Sequence, residues 1–106
     1  MKVGEYGIGF RFGVGFDLST ATALTLTFTK PDETTLVVTN PTVEVGSVDA
    51  STDLGTFSAN EYVRYTFAQG DVDQAGEWRA VLEALIPGTP DKNLISDPGY
   101  FTVEPA

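Results

Sequence analysis

The sequence predicts an all-β chain, an antiparallel β-sandwich of about seven short strands, and three observations predict it. Apolar and polar residues alternate with period two in nearly every segment, and helical periodicity is scarce. Turn-forming residues interrupt these segments at the spacing of a sandwich. The stretch YTFAQGDVDQAGEWRA, residues 65–80, runs an alternating strand into a tight acidic turn and straight out into another strand. That is the layout of a corner where the chain crosses from one sheet to the other. With 106 residues, 42% of them hydrophobic, the whole chain 1–106 is expected to form a single domain around one core.

Taken in order, Ile8, Phe10, Phe12, Val14 and Phe16 alternate with Gly7, Gly9, Arg11, Gly13 and Gly15. Leu24, Leu26 and Phe28 then alternate with Thr25, Thr27 and Thr29. Lys30-Pro31-Asp32-Glu33 turns the chain, with Pro31 where a fixed φ is wanted. Residues 36–39 form the next strand, which Asn40-Pro41 ends, and residues 42–48 follow with Val43 and Val45. Residues 49–59 read as a loop holding Leu54 and Phe57, with room for one short helical turn between residues 49 and 60. Residues 61–68 put Val63, Tyr65 and Phe67 on one face, and residues 77–86 send Trp78, Ala80, Leu82 and Ala84 one way. A hairpin loop at 87–91, a type II turn at Asp97-Pro98-Gly99-Tyr100 and a last strand at 100–104 complete the pattern. The sum is an immunoglobulin-like arrangement. Its core is expected to draw on Phe10, Phe12, Leu24, Leu26, Phe28, Val63, Tyr65, Phe67, Trp78, Leu82 and Val103.

Composition removes several function classes. Fifteen acidic residues against six basic ones give a net charge of −9, with the acids scattered and no basic track for phosphates. Nucleic acid is therefore not an expected partner. There is no His, the usual general base near neutral pH and the commonest metal ligand, and no Cys. The N-terminus lacks the basic start and apolar run of a signal peptide, and no apolar run is long enough to span a membrane. No nucleophile–base pair, metal set or phosphate-binding loop stands out, so no enzymatic activity, cofactor or metal is expected.

Four features remain as candidate sites. Asp71 and Asp73 could form a Ca²⁺ site or a carboxylate pair, or could simply hold the corner by bonding backbone amides; the latter is favoured. Asp49-Ala50-Ser51-Thr52-Asp53 has the oxygen spacing of a Ca²⁺ loop, but Leu54 and Asn60 stand where Gly and Glu are wanted. Trp78 could stack on a sugar, yet its parity with Ala80 and Leu82 favours the core; Tyr6, Tyr62 and Tyr100 lie near strand ends, better placed for exposed contacts. The glycines of the first strand leave one face nearly bare, either as a bulged edge strand or as a docking surface for another backbone, with Gly7, Gly9, Arg11, Gly13 and Gly15 as its residues.

The corner and the closing strand carry a resemblance. Gly70, Asp71, Asp73, Ala75, Gly76 and Trp78, then Pro98, Gly99, Tyr100, Thr102 and Val103, resemble the immunoglobulin-like domains of tailed-phage virion proteins. The N-terminal-type domain of phage baseplate upper proteins is similar, and the opening Val3-Gly4-Glu5-Tyr6-Gly7, Asp17-Leu18-Ser19 and Phe28-Thr29-Lys30-Pro31-Asp32 also fits. Glu33 departs from it, standing where the family commonly has Gly; a type I turn should tolerate this. Family members are often one module of a longer protein. The resemblance implies a structural or adaptor role in a virion, in the tail, neck or baseplate, without enzymatic activity. The implied partners are other virion proteins and copies of itself in a ring or lattice, with no membrane involved and assembly in the host cytoplasm. Capsid decoration, or a carbohydrate-binding or adhesion module, is the alternative.

Overall fold

The computed structural model describes residues 1–43 and 60–106. The expected strand of residues 42–48 beyond Val43, the Asp49–Asp53 segment and the loop that follows it lie outside the described residues. Among the described residues there is no helix, and eight strands form two antiparallel sheets. In chain order they are β1 (Gly9–Gly13), β2 (Ala23–Thr29), β3 (Thr35–Thr39), β4 (Thr42–Val43), β5 (Tyr62–Thr66), β6 (Gly76–Ile86), β7 (Lys92–Ile95) and β8 (Gly99–Val103).

One sheet has the order β1-β5-β4; the other runs β3-β2-β6, with both β7 and β8 on the far side of β6. This is the immunoglobulin pattern: β1, β5 and β4 occupy the B, E and D positions, and β3, β2, β6 and β7/β8 the C′, C, F and G positions. The last strand is divided because β6 is eleven residues long and changes partner part-way. Gly76 to Ala80 pair with β8, and Glu83 to Ile86 pair with β7. Ser96 bridges the gap: its N–H donates to the Leu82 carbonyl at 2.9 Å and its Oγ accepts the Leu82 N–H at 2.9 Å. A buried hydroxyl thus replaces the missing ladder partner and leaves no orphan amide. The chain's opening residues join the end of β8 in a parallel bridge, Lys2 with Glu104.

Alternation fills the core as expected. Ten of the eleven anticipated residues are buried, while Tyr65 packs against them half-exposed; Leu18, Tyr62, Val72, Ala80 and Ala84 are buried as well. Phe28 sits at the centre of an aromatic cluster, edge-on to Phe10 at 5.2 Å and to Trp78 at 6.4 Å between ring centroids.

Three local expectations need correction. Tyr62, expected to be exposed, is 0% accessible although it stands on the opposite parity from Val63. The turn at Lys30-Pro31-Asp32-Glu33 closes with Glu33 N–H to the Lys30 carbonyl at 2.9 Å, but Glu33 itself has φ 71°. The turn is a three-residue hairpin loop, a type I turn followed by a left-handed residue, and that last position is the one that favours Gly. The first strand is also shorter than its alternation suggested, because Gly7 (φ 77°) and Gly15 (φ 78°) fall in turns outside it.

Candidate functional site

The acidic corner is a clasp between the end of β5, the start of β6 and the β2–β3 turn. The Asp71 carboxylate accepts the Tyr65 hydroxyl at 2.5 Å and the Ala68 N–H at 2.7 Å, while the Asp71 N–H donates to the Ala68 carbonyl at 3.0 Å. Burial and this carboxylate together raise the Tyr65 pKa to about 12, since both disfavour the phenolate. Asp73 faces elsewhere and accepts from Lys30 Nζ at 2.9 Å. Lys30 Nζ in turn lies 5.5 Å from the centroid of the Trp78 ring. The Trp78 indole donates to the Gln74 carbonyl at 3.1 Å, and the Gln74 side chain accepts the Asp32 N–H at 3.2 Å. Thr34 donates its amide and hydroxyl to Asp32, bonds that hold the Asp32 carboxyl below its ordinary pKa.

Asp71 and Asp73 are thus separated in purpose. One fastens the turn to Tyr65 and the other neutralises Lys30, so they do not share a site. Among the described residues no three His, Cys, Asp or Glu side chains are grouped to hold a metal. Trp78 is fully buried, which removes it as a sugar platform. Gly76, with φ 128°, packs so closely on the turn that a Cβ there would come within 2.8 Å of Pro31 Cγ.

The glycine face is smaller than expected. Gly9, Arg11 and Gly13 share the side of β1 opposite Phe10 and Phe12, and β1 is the outer strand of its sheet among the described residues. Arg11 is half-buried and stands directly opposite Arg64 on β5. A Cβ on Gly9 would lie 3.2 Å from Arg64 Nε, so the Arg64 side chain already covers that position. Backbone conformation at Gly7 and Gly15, and Arg64 at Gly9, account for three of the four glycines within the fold. The face on β1 is thereby reduced to Gly9, Arg11 and Gly13.

Another surface emerges instead. Five large hydrophobic residues are exposed among the described residues, and four of them lie on the outer face of the five-stranded sheet: Val37 (56%), Leu85 (39%), Ile95 (63%) and Tyr100 (52%). Their placement follows from register. Val37 pairs with Thr27, Ile95 with Glu83, Tyr100 with Arg79, and Leu85 with Ala23, all on the parity opposite the buried residues. The rest of the face is largely threonine, with Val81 beside Thr27 near its middle. Tyr100 also borders a shallow pocket of about 310 Å³ lined by Lys30, Pro31, Glu77 and Arg79.

The sequence signal for this face was present. Val37, Val81, Leu85 and Ile95 are the apolar residues that fall on the otherwise polar parity of their strands.

Comparison of the chain with protein-family models, with curated proteins and with solved structures returned no match.

Proposed function

We propose that this chain is a non-enzymatic structural or adaptor domain of a bacteriophage virion, acting through protein–protein contacts in a symmetric assembly. The observation that carries the contact reading is that four of the five exposed large hydrophobic residues among the described residues, Val37, Leu85, Ile95 and Tyr100, share the outer face of the five-stranded sheet. Large apolar side chains exposed on one face of a sheet support an interaction surface there. The particle assignment is supported by the resemblance at Gly70–Trp78 and Pro98–Val103 to tailed-phage immunoglobulin-like domains. A place in the tail, neck or baseplate is the favoured reading and capsid decoration its alternative, with other virion proteins and further copies of the chain as partners.

Proteomics of purified particles tests the assignment: the protein should be present in a copy number that matches a symmetry element, and its absence overturns the reading. Ile95→Asp should leave the domain folded and keep it out of particles. A carbohydrate-binding reading draws on the exposed Tyr100 at its pocket. It requires a glycan-array signal that Tyr100→Ala abolishes.

A further inference from the structure

We propose that the outer face of the five-stranded sheet is covered by a second copy of this chain, packed face to face about a two-fold axis that crosses the strands at Val81. The inference rests on the reading of this face as a contact surface and names its partner.

Arg79, Val81 and Glu83 are successive outward residues of β6, with Arg79 and Glu83 each about 7 Å from Val81. An isologous interface makes each contact twice, related by the dyad. An axis lying in the interface, perpendicular to β6 at Val81, brings Arg79 of each copy against Glu83 of the other. The residues that flank these two charges obey the same operation, which also sets Leu85 of each copy against Glu77 of the other. Tyr100 sits beside Arg79 and Ile95 beside Glu83, so the aromatic ring of one copy meets the aliphatic chain of the other. Thr29 and Thr25 flank the same two charges on the β2 side and face each other, and Val81 meets its own counterpart on the axis. An axis along the strands would instead set Arg79 on Arg79 and Glu83 on Glu83, with like charges opposed. The order of charges along β6 therefore selects the antiparallel arrangement.

Charge also argues for self-recognition. The chain carries a net charge of −9, so two copies repel over most of their surfaces. Across the rows around Val81, one Arg and one Glu cancel. The Arg79 guanidinium has no hydrogen bond or ion pair among the described residues, whereas Glu83 accepts only from Asn93, at 3.1 Å. The size of the face sets the strength. Four strand positions by about seven residues give a footprint of about 450 Å² per copy. The pair would bury about 900 Å², below the ~1,600 Å² of a standard stable interface. The dimer is weak, concentration-dependent and weakened by salt.

Sedimentation velocity across a micromolar-to-millimolar series tests this. The wild type should dimerise within the range. Arg79→Glu and Glu83→Arg should each weaken self-association by roughly tenfold or more. An equimolar mixture of the two variants should form heterodimers at least as well as the wild type, because both cross-axis pairs become attractive again. The double variant Arg79→Glu/Glu83→Arg should recover self-association for the same reason. Rescue in the mixture also shows that both variants are folded. A wild type monomeric throughout, single variants that associate like wild type, or a mixture that stays monomeric overturns the dimer. The contact-face reading is judged separately by Ile95→Asp in particles. A monomeric wild type with that variant excluded from particles overturns the second copy alone; normal incorporation of the variant overturns the contact face itself.

Discussion

The Tyr65 hydroxyl and the Asp71 carboxylate join the end of β5 to the corner through a 2.5 Å hydrogen bond. A bond to a charged acceptor contributes more than a neutral one, and Asp71 keeps its Ala68 amide when the phenol is lost. Tyr65→Phe should therefore destabilise the domain by about 1–2 kcal/mol in urea unfolding. The pH dependence has a definite sign. The folded Tyr65 pKa, about 12, lies above the unfolded value of 10.0, so the unfolded chain releases its proton first. The Tyr65 contribution is complete below the unfolded pKa and is lost as pH rises towards the folded one. The stability gap between wild type and Tyr65→Phe should thus narrow from pH 10 to pH 12. A gap that widens over this window counts against the assignment.

Gly76→Ala should destabilise on two counts. A φ of 128° is strained for any residue with a Cβ, at about 1–3 kcal/mol, and the new methyl meets Pro31. Adding Pro31→Ala should recover the steric part and leave the backbone part. Full recovery in the double variant would mean that conformation contributes nothing.

Trp78→Ala removes a fully buried ring together with its bond to the Gln74 carbonyl. The expected loss is about 3–5 kcal/mol. Against a total of about 5–15 kcal/mol, that brings the domain close to unfolding. Trp78→Phe should lose clearly less, because the ring volume is largely kept. Thermal melts of both variants check the ranking.

Glu33→Gly should stabilise. The left-handed conformation costs a residue with a Cβ about 1–2 kcal/mol, and the greater freedom of glycine in the unfolded chain returns part of the gain. A net increase of about 0.5–1 kcal/mol, seen as a melting temperature higher by a few degrees, is the expected result. An unchanged or lower value means that the Glu33 side chain makes a compensating contact.

The core was legible because period-two alternation reports directly which side of a strand meets the other sheet. Phe10, Leu26, Phe28 and Leu82 follow from that rule alone. Tyr62 does not, since it is buried on the side that alternation assigns to the exterior. Glu33 stands out as a departure from Gly, but its left-handed backbone is not legible, because φ is a property of the closed hairpin loop and a turn's residue types fix only part of it. The glycines misled for a related reason: Gly7 and Gly15 look like strand residues on spacing, but they are turn residues by φ. The exposed apolar residues of the outer sheet face were hidden in plain alternation. Val37 or Ile95 alone on a polar parity is unremarked; only the pairing of β2, β3, β6, β7 and β8 gathers them.

The change of partner at Leu82 has a consequence beyond the domain itself. One margin of the large sheet is broken into four- and five-residue pieces, β7 and β8, separated by Ser96, Asp97 and a proline without an amide hydrogen. The Lys2 bridge caps the far end of the second piece. A stranger chain looking for a long run of free amides and carbonyls to zip onto finds none on this side. Fibrous growth from this margin is thus starved of a template.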